Sequence, residues 1–320
     1  MLTIDETTTR EQLGFATLIA ALRRLFIAGC EVPLRHTHTI ANPNGPAGTV
    51  LLMPAWRPGA LFGLKTVTIF PGNSARGLPG LHSTYLLFDA SSGEPLAQLD
   101  GNQITSRRTA AASALAASML ARPDASRLLV VGSGRVAALL PEAMCAVRPI
   151  TRVEVWNHRA ASAETLAARW RAAGIDAHAV IDLGAAVRHA HIVSCATLST
   201  APLIDAAWLA PGSHLDLIGS FTPQMQEADP ACFERCRVVV DTDEALAKSG
   251  DILRAVAAGC FDPATRPPAT LADLCRGARP GRQRADELTL FKSVGSALED
   301  LAAAELVFDA VTALQRPAPT

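Results

Sequence analysis

Of the 29 basic residues in this 320-residue chain, only Lys65, Lys248 and Lys292 are lysine. Arginine holds its charge permanently, whereas lysine can shift its pKa and hand on a proton. The rare lysines therefore mark positions where lysine itself is needed. Lys65 lies in the apolar run Leu61-Phe62-Gly63-Leu64-Lys65-Thr66-Val67. Burial there would lower its pKa toward the range of a proton donor. The alternative is a strand-edge lysine whose ammonium reaches solvent. A second chemical pattern is Gly132-Ser133-Gly134-Arg135-Val136-Ala137, directly after the apolar run 128–131. Its first glycine permits a tight turn, its second lets a pyrophosphate approach the backbone, and the small Ala137 lets helix and strand pack closely. The phosphates would sit on the free N–H groups of the helix that opens here. A strand before the turn and a helix after it separate a dinucleotide site from an isolated glycine pattern. The alternative is an ordinary strand-to-helix turn.

The next strand pattern, 153–156, runs into Asn157-His158-Arg159. A site for NAD would place an acid near this point to hold the ribose 2′-hydroxyl. A carboxylate would repel a 2′-phosphate, whereas Arg159 and a protonated His158 would bind it. Arg135, inside the glycine turn, adds a second positive group. The reading is NADP(H) in preference to NAD(H), with NAD(H) as the alternative.

These residues need elements to position them. Residues 11–29 repeat apolar positions at helical spacing and end at Gly29, which predicts an amphipathic helix. Strand-like runs broken by Pro and Gly follow: TVLLMPAW, ALFGLKTVTIF and STYLLFDASSGEPLAQLDG. The last reads as a hairpin with Ser91, Ser92 and Gly93 in its turn, so an antiparallel sheet is expected. From about residue 105 the Ala-rich TSRRTAAASALAASMLA predicts a strong helix. Arg108 falls at the expected start of that helix, where a cation opposes the macrodipole, so a bound anion would explain it. Arg107 reads as a surface charge. Short apolar runs then alternate with helices up to RVVVDT, which predicts a doubly wound parallel sheet. Residues 288–314 begin as a strand or loop and become a long helix with no strand after it.

Composition excludes several classes. Apolar residues make up 49% and charged residues 18%, which favours a large core over disorder. The formal net charge is -1 and no block of like charge stands out, so neither nucleic acid nor an anionic membrane is an expected partner. No apolar stretch approaches the roughly 18 residues of a membrane-spanning helix. The N-terminal MLTIDETTTREQ reads as neither a signal nor a transit peptide. The seven cysteines include no CxxC, consistent with scattered thiols in a reducing cytoplasm. His36 with His38 and His189 with His191 are i, i+2 pairs without a carboxylate pattern, so no metal is expected.

The stretches GLKTVTIFPGN, GLPG, LDGNQITSRRTAAASALAA, VVGSGRVA, VEVWNHR and LFKSVGSALEDLAAAELVFD are specific enough to name a likeness. Over nearly its whole length, and in the same motif order, the chain resembles the ornithine cyclodeaminase/mu-crystallin family. The resemblance implies an α/β subunit with a Rossmann-type doubly wound parallel sheet, the NADP-binding domain, over 113–292. It implies a discontinuous α+β domain of 1–112, completed by 293–320, for substrate binding and homodimerisation. The family includes cyclodeaminases, alanine dehydrogenases and reductases of cyclic imino acids. In cyclodeaminases an aspartate after the fifth Rossmann strand activates water. Phe221 falls at that place here, and no acid lies between Asp216 and Glu227. Without that base the water-addition route loses its main device. The ketimine reductases that resemble mu-crystallin also lack this aspartate and use NADPH.

The resemblance also implies site residues. Arg35 matches a carboxylate-binding arginine, Lys65 a substrate-contacting lysine, and Arg108 a residue that meets substrate carboxylate and cofactor phosphate. Met53 either lines the substrate pocket or packs in the core. His82, after GLPG, is either an auxiliary donor or a plain loop histidine. Besides the glycine turn and Asn157, His158 and Arg159, the expected cofactor contacts are Thr109, Thr197, Ile218 and Ser293. The resulting expectation is a cytoplasmic homodimeric reductase of small cyclic α-imino acids. It would convert delta-1-pyrroline-2-carboxylate to proline and delta-1-piperideine-2-carboxylate to pipecolate, using NADPH. The rivals are an ornithine cyclodeaminase, an alanine dehydrogenase-like enzyme and a non-catalytic NADPH-dependent small-ligand binding protein.

Overall fold

The computed structural model describes residues 1–43 and 45–315. It divides into two compact units, Met1–Arg108 with the segment from Ser296, and Thr109–Gly295. The divisions expected from the sequence, 112/113 and 292/293, fall a few residues away from these.

The first part of the chain forms β1 (Leu2–Ile4), α1 (Glu6–Gln12), α2 (Phe15–Ala28), β2 (His36–Ile40), β3 (Gly48–Trp56), β4 (Leu61–Ile69), β5 (Leu81–Asp89) and β6 (Pro95–Asp100). Next comes α3 (Gly101–Leu120), within which the division falls. The single helix expected over 11–29 is two helices. Asp5 caps α1 by accepting the Thr8 N–H at 2.8 Å, and Gly14 is the N-cap of α2. Arg107, expected at the surface, is buried at this break. Its Nε donates to the Leu13 carbonyl at 2.7 Å, and its guanidinium lies 4.4 Å from the Phe15 ring centre. An otherwise orphaned carbonyl and an aromatic face thus account for an interior arginine.

The second part forms β7 (Arg127–Val131), α4 (Leu140–Cys145), β8 (Arg152–Trp156), α5 (Ala160–Ala172), β9 (Ala177–Ala179), α6 (Leu183–His189) and β10 (Ile192–Cys195). It continues with β11 (Thr200–Ile204), β12 (His214–Leu217), β13 (Gln226–Ala228), α7 (Ala231–Arg235), β14 (Arg237–Val240), α8 (Glu244–Lys248) and α9 (Gly250–Ala257). The last elements are β15 (Ala269–Thr270), α10 (Leu271–Arg276), β16 (Thr289–Lys292) and α11 (Ala297–Gln315).

In the first unit six strands form one sheet in the order β1-β6-β5-β4-β3-β2. All its pairs are antiparallel except β1 with β6. Burial alternates along the central strands: Met53, Ala55, Gly63, Lys65, Val67, Ser83, Tyr85 and Leu87 are inside and their neighbours are less buried. That is the period of two of a sheet with one covered face. Helix α11 packs on α2, β3 and β4.

In the second unit eight strands form a parallel sheet in the order β15-β14-β16-β12-β10-β7-β8-β9. The chain starts at β7, builds outward through β8 and β9, then returns to the other side of β7 with β10. The carboxyl ends of β7 and β10 are therefore a topological switch point, where doubly wound sheets bind ligands. The fold is α/β, with a Rossmann-type sheet in one unit and an α+β arrangement in the other. The segment expected to begin as a strand or loop holds a strand, Thr289–Lys292, which lies inside the sheet between β12 and β14. The helix after the glycine turn is short. It opens as a 3-10 turn over Ala137–Leu139, and α4 ends at Cys145. Pro141 has no N–H for the carbonyl four residues back, which loosens this first turn. No helix among the described residues is long and apolar enough to cross a membrane.

Gly63 on β4 has no room for a side chain, because a Cβ there would drive into the phenol of Tyr85 on β5. Gly63→Ala is expected to destabilise the fold by about 1–3 kcal/mol through overpacking. The measurement is the urea midpoint at constant slope. An unchanged midpoint would show that the phenol can move aside.

Candidate active site

Register across β3, β4 and β5 sets Met53 opposite Lys65, and Lys65 opposite Tyr85. All three side chains are buried on the covered face. Arg35 immediately precedes β2 and is half-buried, and its charge acts on Lys65. The Lys65 side chain is only 1% exposed, and its Nζ lies 2.6 Å from Asp300 Oδ2. The other Asp300 oxygen accepts the Arg108 Nε at 2.9 Å, and Arg108 Nη1 lies 2.6 Å from Glu299 Oε2. Two cations from β4 and α3 thus meet two anions from the first turn of α11, and the cluster is formally neutral.

Burial brings the Lys65 ammonium down to about 8, with Asp300 opposing that shift and Arg108 adding to it. Burial by itself would raise the Asp300 carboxyl. Lys65 and Arg108 outweigh it and hold that carboxyl below the usual range. Burial would likewise lower Arg108, but Asp300 and Glu299 reverse the direction. The arrangement provides a lysine near the neutral range, held in one place by an ionised aspartate. Such a group can give a proton to a nitrogen beside it and take one back.

Two expectations are corrected here. Arg108 does not begin a helix, because α3 starts at Gly101, behind Asp100, whose carboxylate accepts the Gln103 N–H at 2.7 Å. The anions that Arg108 faces are the chain's own Glu299 and Asp300, so the dipole argument for a bound anion lapses. His82 is exposed and pairs with Thr68, three residues along β4 from Lys65, so it points to the opposite face of the sheet. The structure does not bring it into the Lys65 row. The sequence reading omits Glu299 and Asp300. Their signal is present: adjacent acids in the first turn of a helix that is otherwise rich in Ala and Leu.

In the second unit Gly132 takes φ 116°, and a Cβ there would come within 2.5 Å of the Ala196 carbonyl oxygen. Around Gly134 a Cβ would meet nothing within 4 Å, so the turn is open on that side. Asn157, at the end of β8, donates from Nδ2 to the Ser133 hydroxyl at 2.8 Å and accepts the Arg159 N–H at 2.9 Å. Arg135, His158 and Arg159 are exposed, and Val136 is half-buried. Thr197, Ile218 and Ser293 follow β10, β12 and β16, which are adjacent in the sheet. Their main chains are linked: the Ile218 N–H donates to Cys195 O at 2.8 Å and the Ser293 N–H to Leu217 O at 3.1 Å. Thr109, the first residue of this unit, is half-buried on α3. An open glycine turn at the switch point, flanked by exposed cations, fits a dinucleotide. Phe221, after β12, is 39% exposed, and Asp216 is buried within β12 against the hydroxyls of Ser113 and Ser194. Among the described residues no group of His, Cys, Asp and Glu is placed to hold a metal ion.

The chain is 43% identical to Delta(1)-pyrroline-2-carboxylate reductase of Paracoccus denitrificans over 286 residues, which is 86% of this chain and 89% of that one. It is 33% identical to the mouse ketimine reductase mu-crystallin, over 88% of this chain and 85% of that one. The structure of Thermococcus litoralis Delta(1)-pyrroline-2-carboxylate reductase in complex with NADH and L-proline matches it with a TM-score of 0.91 at 29% identity, covering 100% of both chains. The family model for ornithine cyclodeaminase/mu-crystallin matches residues 11–315, and the chain belongs to that family.

Proposed function

We propose that this chain, a nicotinamide-dependent oxidoreductase acting on C=N, reduces small cyclic α-imino acids, with NADPH as its preferred donor. The leading substrates are delta-1-pyrroline-2-carboxylate and delta-1-piperideine-2-carboxylate. The observation that carries this reading is the buried Lys65 held by Asp300, with its ammonium near 8. Relatives whose names are reductases of such substrates support it.

A reduced nicotinamide, when held by the glycine turn of the second unit, would supply the hydride for the imine carbon. Lys65 Nζ donates to the imine nitrogen, and Asp300 keeps the ammonium charged and aimed. Arg35 holds the substrate carboxylate through its two-pronged guanidinium. Met53 gives the ring an apolar wall. Arg108 holds Asp300, and its remaining guanidinium N–H groups are the ones proposed to meet the substrate carboxylate and cofactor phosphate. Phe221 offers no base to activate water, which favours reduction over cyclodeamination. In the second unit the glycine turn takes the pyrophosphate, and Arg135, His158 and Arg159 take the 2′-phosphate.

The test is NADPH consumption by purified protein with each cyclic imino acid. NADPH oxidation with formation of proline or pipecolate is expected. Ammonia released from ornithine without NADPH oxidation would turn the reading to cyclodeaminase, and NADPH binding without turnover would turn it to a carrier. Lys65→Met should lower kcat by about 100-fold or more, the usual worth of a general acid, with NADPH affinity within about twofold. Turnover at the wild-type rate in that variant would remove Lys65 from the mechanism. Arg159→Ala should raise KM for NADPH about tenfold and leave NADH nearly unaffected, since one ion pair to the 2′-phosphate is lost. Equal effects on both cofactors would place Arg159 elsewhere.

The other face of the first unit's sheet supports the homodimer. Trp56, Phe62 and Phe88 lie directly opposite one another across β3, β4 and β5 and are only half-buried. Their ring centres are 6.3 and 5.1 Å apart. The next row, Pro54, Leu64 and Leu86, is also apolar and half-buried. A patch of this kind is typical of a surface that another chain covers. Sedimentation should give the mass of two subunits, and Phe62→Glu should give one. A wild-type monomer would remove the proposal.

A further inference from the structure

Three neighbouring strand ends of the second unit share one buried ion cluster. Lys292, the last residue of β16, is completely buried. Its Nζ donates to the Leu217 carbonyl at 2.9 Å and to the Gly219 carbonyl, and it lies 3.7 Å from Asp251 Oδ2. Glu227 on β13 is also completely buried. Its Oε1 accepts both the N–H and the hydroxyl of Thr197, at 2.7 and 2.8 Å. Asp251 Oδ1 in turn accepts the N–H groups of Glu227 and Ala228, at 2.8 and 3.1 Å.

The packing around this cluster leaves no slack. A Cβ on Gly219 would collide with the Glu227 carboxyl and the Thr197 carbonyl. Ser220, next in the chain, takes φ 56°, a left-handed conformation that disfavours a side chain. It is held there because its hydroxyl donates to the Met225 carbonyl and accepts the Asp251 N–H, both at 2.9 Å. The second Glu227 oxygen is buried without a hydrogen-bond partner. Packing alone does not call for a polar side chain here, because leucine would fill the same space without desolvating a carboxyl.

We infer that Glu227, linked to Lys292 through Asp251, is a positioning residue for the cofactor, fixing the loop at Thr197 and the turn at Gly219 on the edge where the glycine turn opens. This inference rests on the dinucleotide reading of that edge. Its force comes from adjacency. Lys292 precedes Ser293 and grips the carbonyls on either side of Ile218, while Glu227 grips Thr197. Each of the three cofactor contacts proposed on these strand ends is thus held by a side chain of the cluster or stands next to one. Burial raises the Glu227 carboxyl to about 8, against the pull of Lys292 and of the Thr197 donors, so its grip on the loop is geometric: one buried oxygen takes both the N–H and the hydroxyl of the same residue. These two bonds also set the polarity of Thr197. Its hydroxyl proton is committed to Glu227 and its oxygen accepts the Ser199 N–H at 3.2 Å, so toward a ligand it acts as an acceptor for a hydroxyl or amide donor.

The experiment measures NADPH affinity by nucleotide fluorescence, together with kcat, for wild type, Glu227→Ala, Glu227→Gln and Thr197→Val. Glu227→Ala should raise Kd and KM for NADPH about tenfold, the scale of one buried hydrogen bond, with kcat at saturating NADPH within about twofold. Glu227→Gln keeps an acceptor oxygen for Thr197 and should restore most of the lost affinity. Thr197→Val keeps the backbone bond and should give an intermediate Kd. A merely structural glutamate would lower the folded fraction, and with it the apparent kcat, while leaving Kd of the folded molecules unchanged. That result, or wild-type affinity in Glu227→Ala, would overturn the inference and leave the cofactor reading standing. Failure of the wild type to bind NADPH or NADH would overturn both.

Discussion

A lysine ammonium inside a protein must find its counter-charge there, because an unpaired buried charge is worth several kcal/mol of destabilisation. For Lys65 that counter-charge is Asp300, and the organisation of the first unit follows from it. Asp300 lies on α11, at the far end of the chain, and the same carboxylate binds Arg108 across a separation of 192 residues. The helix that follows the last strand of the Rossmann-type sheet therefore belongs with the N-terminal half. Removing any one of the four charged partners would leave the rest unbalanced, at about 3–5 kcal/mol. Replacing all of them with apolar side chains of similar volume would be close to neutral by the same principle. Stability alone does not call for the cluster, which agrees with the chemistry proposed for Lys65.

The second unit handles buried carboxylates in two other ways. Asp216 takes its hydrogen bonds from the Ser113 and Ser194 hydroxyls, and burial still raises its carboxyl to about 6. Asp241 takes the N–H groups of Thr242, Val294 and Gly295, which ties the end of β14 to the segment just after β16. Burial raises that carboxyl too, against the pull of those N–H groups. Neutral donors suffice where an acid only needs to be satisfied. The single buried lysine of this unit, Lys292, lies instead where β12, β13 and α9 converge. There Lys292 adds an ionic partner for Asp251, while Glu227, like Asp216, takes its hydrogen bonds from neutral donors.

The local devices were legible in the sequence, and the long-range ones were not. The strand-turn-helix at 127–145 shows itself because apolar run, glycines and small residue lie within a short window. The parallel strands read as continuous apolar runs because both their faces are covered. Lys65 stands out because lysine is rare and its neighbours are apolar. Arg107 and Arg108 look alike in sequence, and only tertiary contacts separate a carbonyl cap from an ion-cluster member. Glu299 and Asp300 gain meaning only from partners far away in the chain. His82 shows a subtler limit. In β5 the alternate sets His82-Thr84-Leu86 and Ser83-Tyr85-Leu87 are both mixed in polarity, so composition does not say which set faces inward. The register with β4 decides it, and register is a property of the sheet. Strand β2, HTHTI, carries no apolar alternation, and it is the exposed edge of the sheet, paired on one side only with β3.

Asn157 bears on how the cofactor preference is built. Where an NAD site has a carboxylate, this chain has an amide with both ends in use, one on Ser133 of the glycine turn and one on the Arg159 N–H. An aspartate there would still accept from Arg159, but it would bring a negative charge beside the proposed 2′-phosphate. The amide keeps the link between β8 and the turn and stays neutral. The cations Arg135 and Arg159, with His158 between Asn157 and Arg159, then act without an opposing charge at that position. The proposed preference for NADPH therefore depends as much on the missing negative charge at residue 157 as on the positive charges around it, and restoring the acid would weaken phosphate binding even with every cation in place.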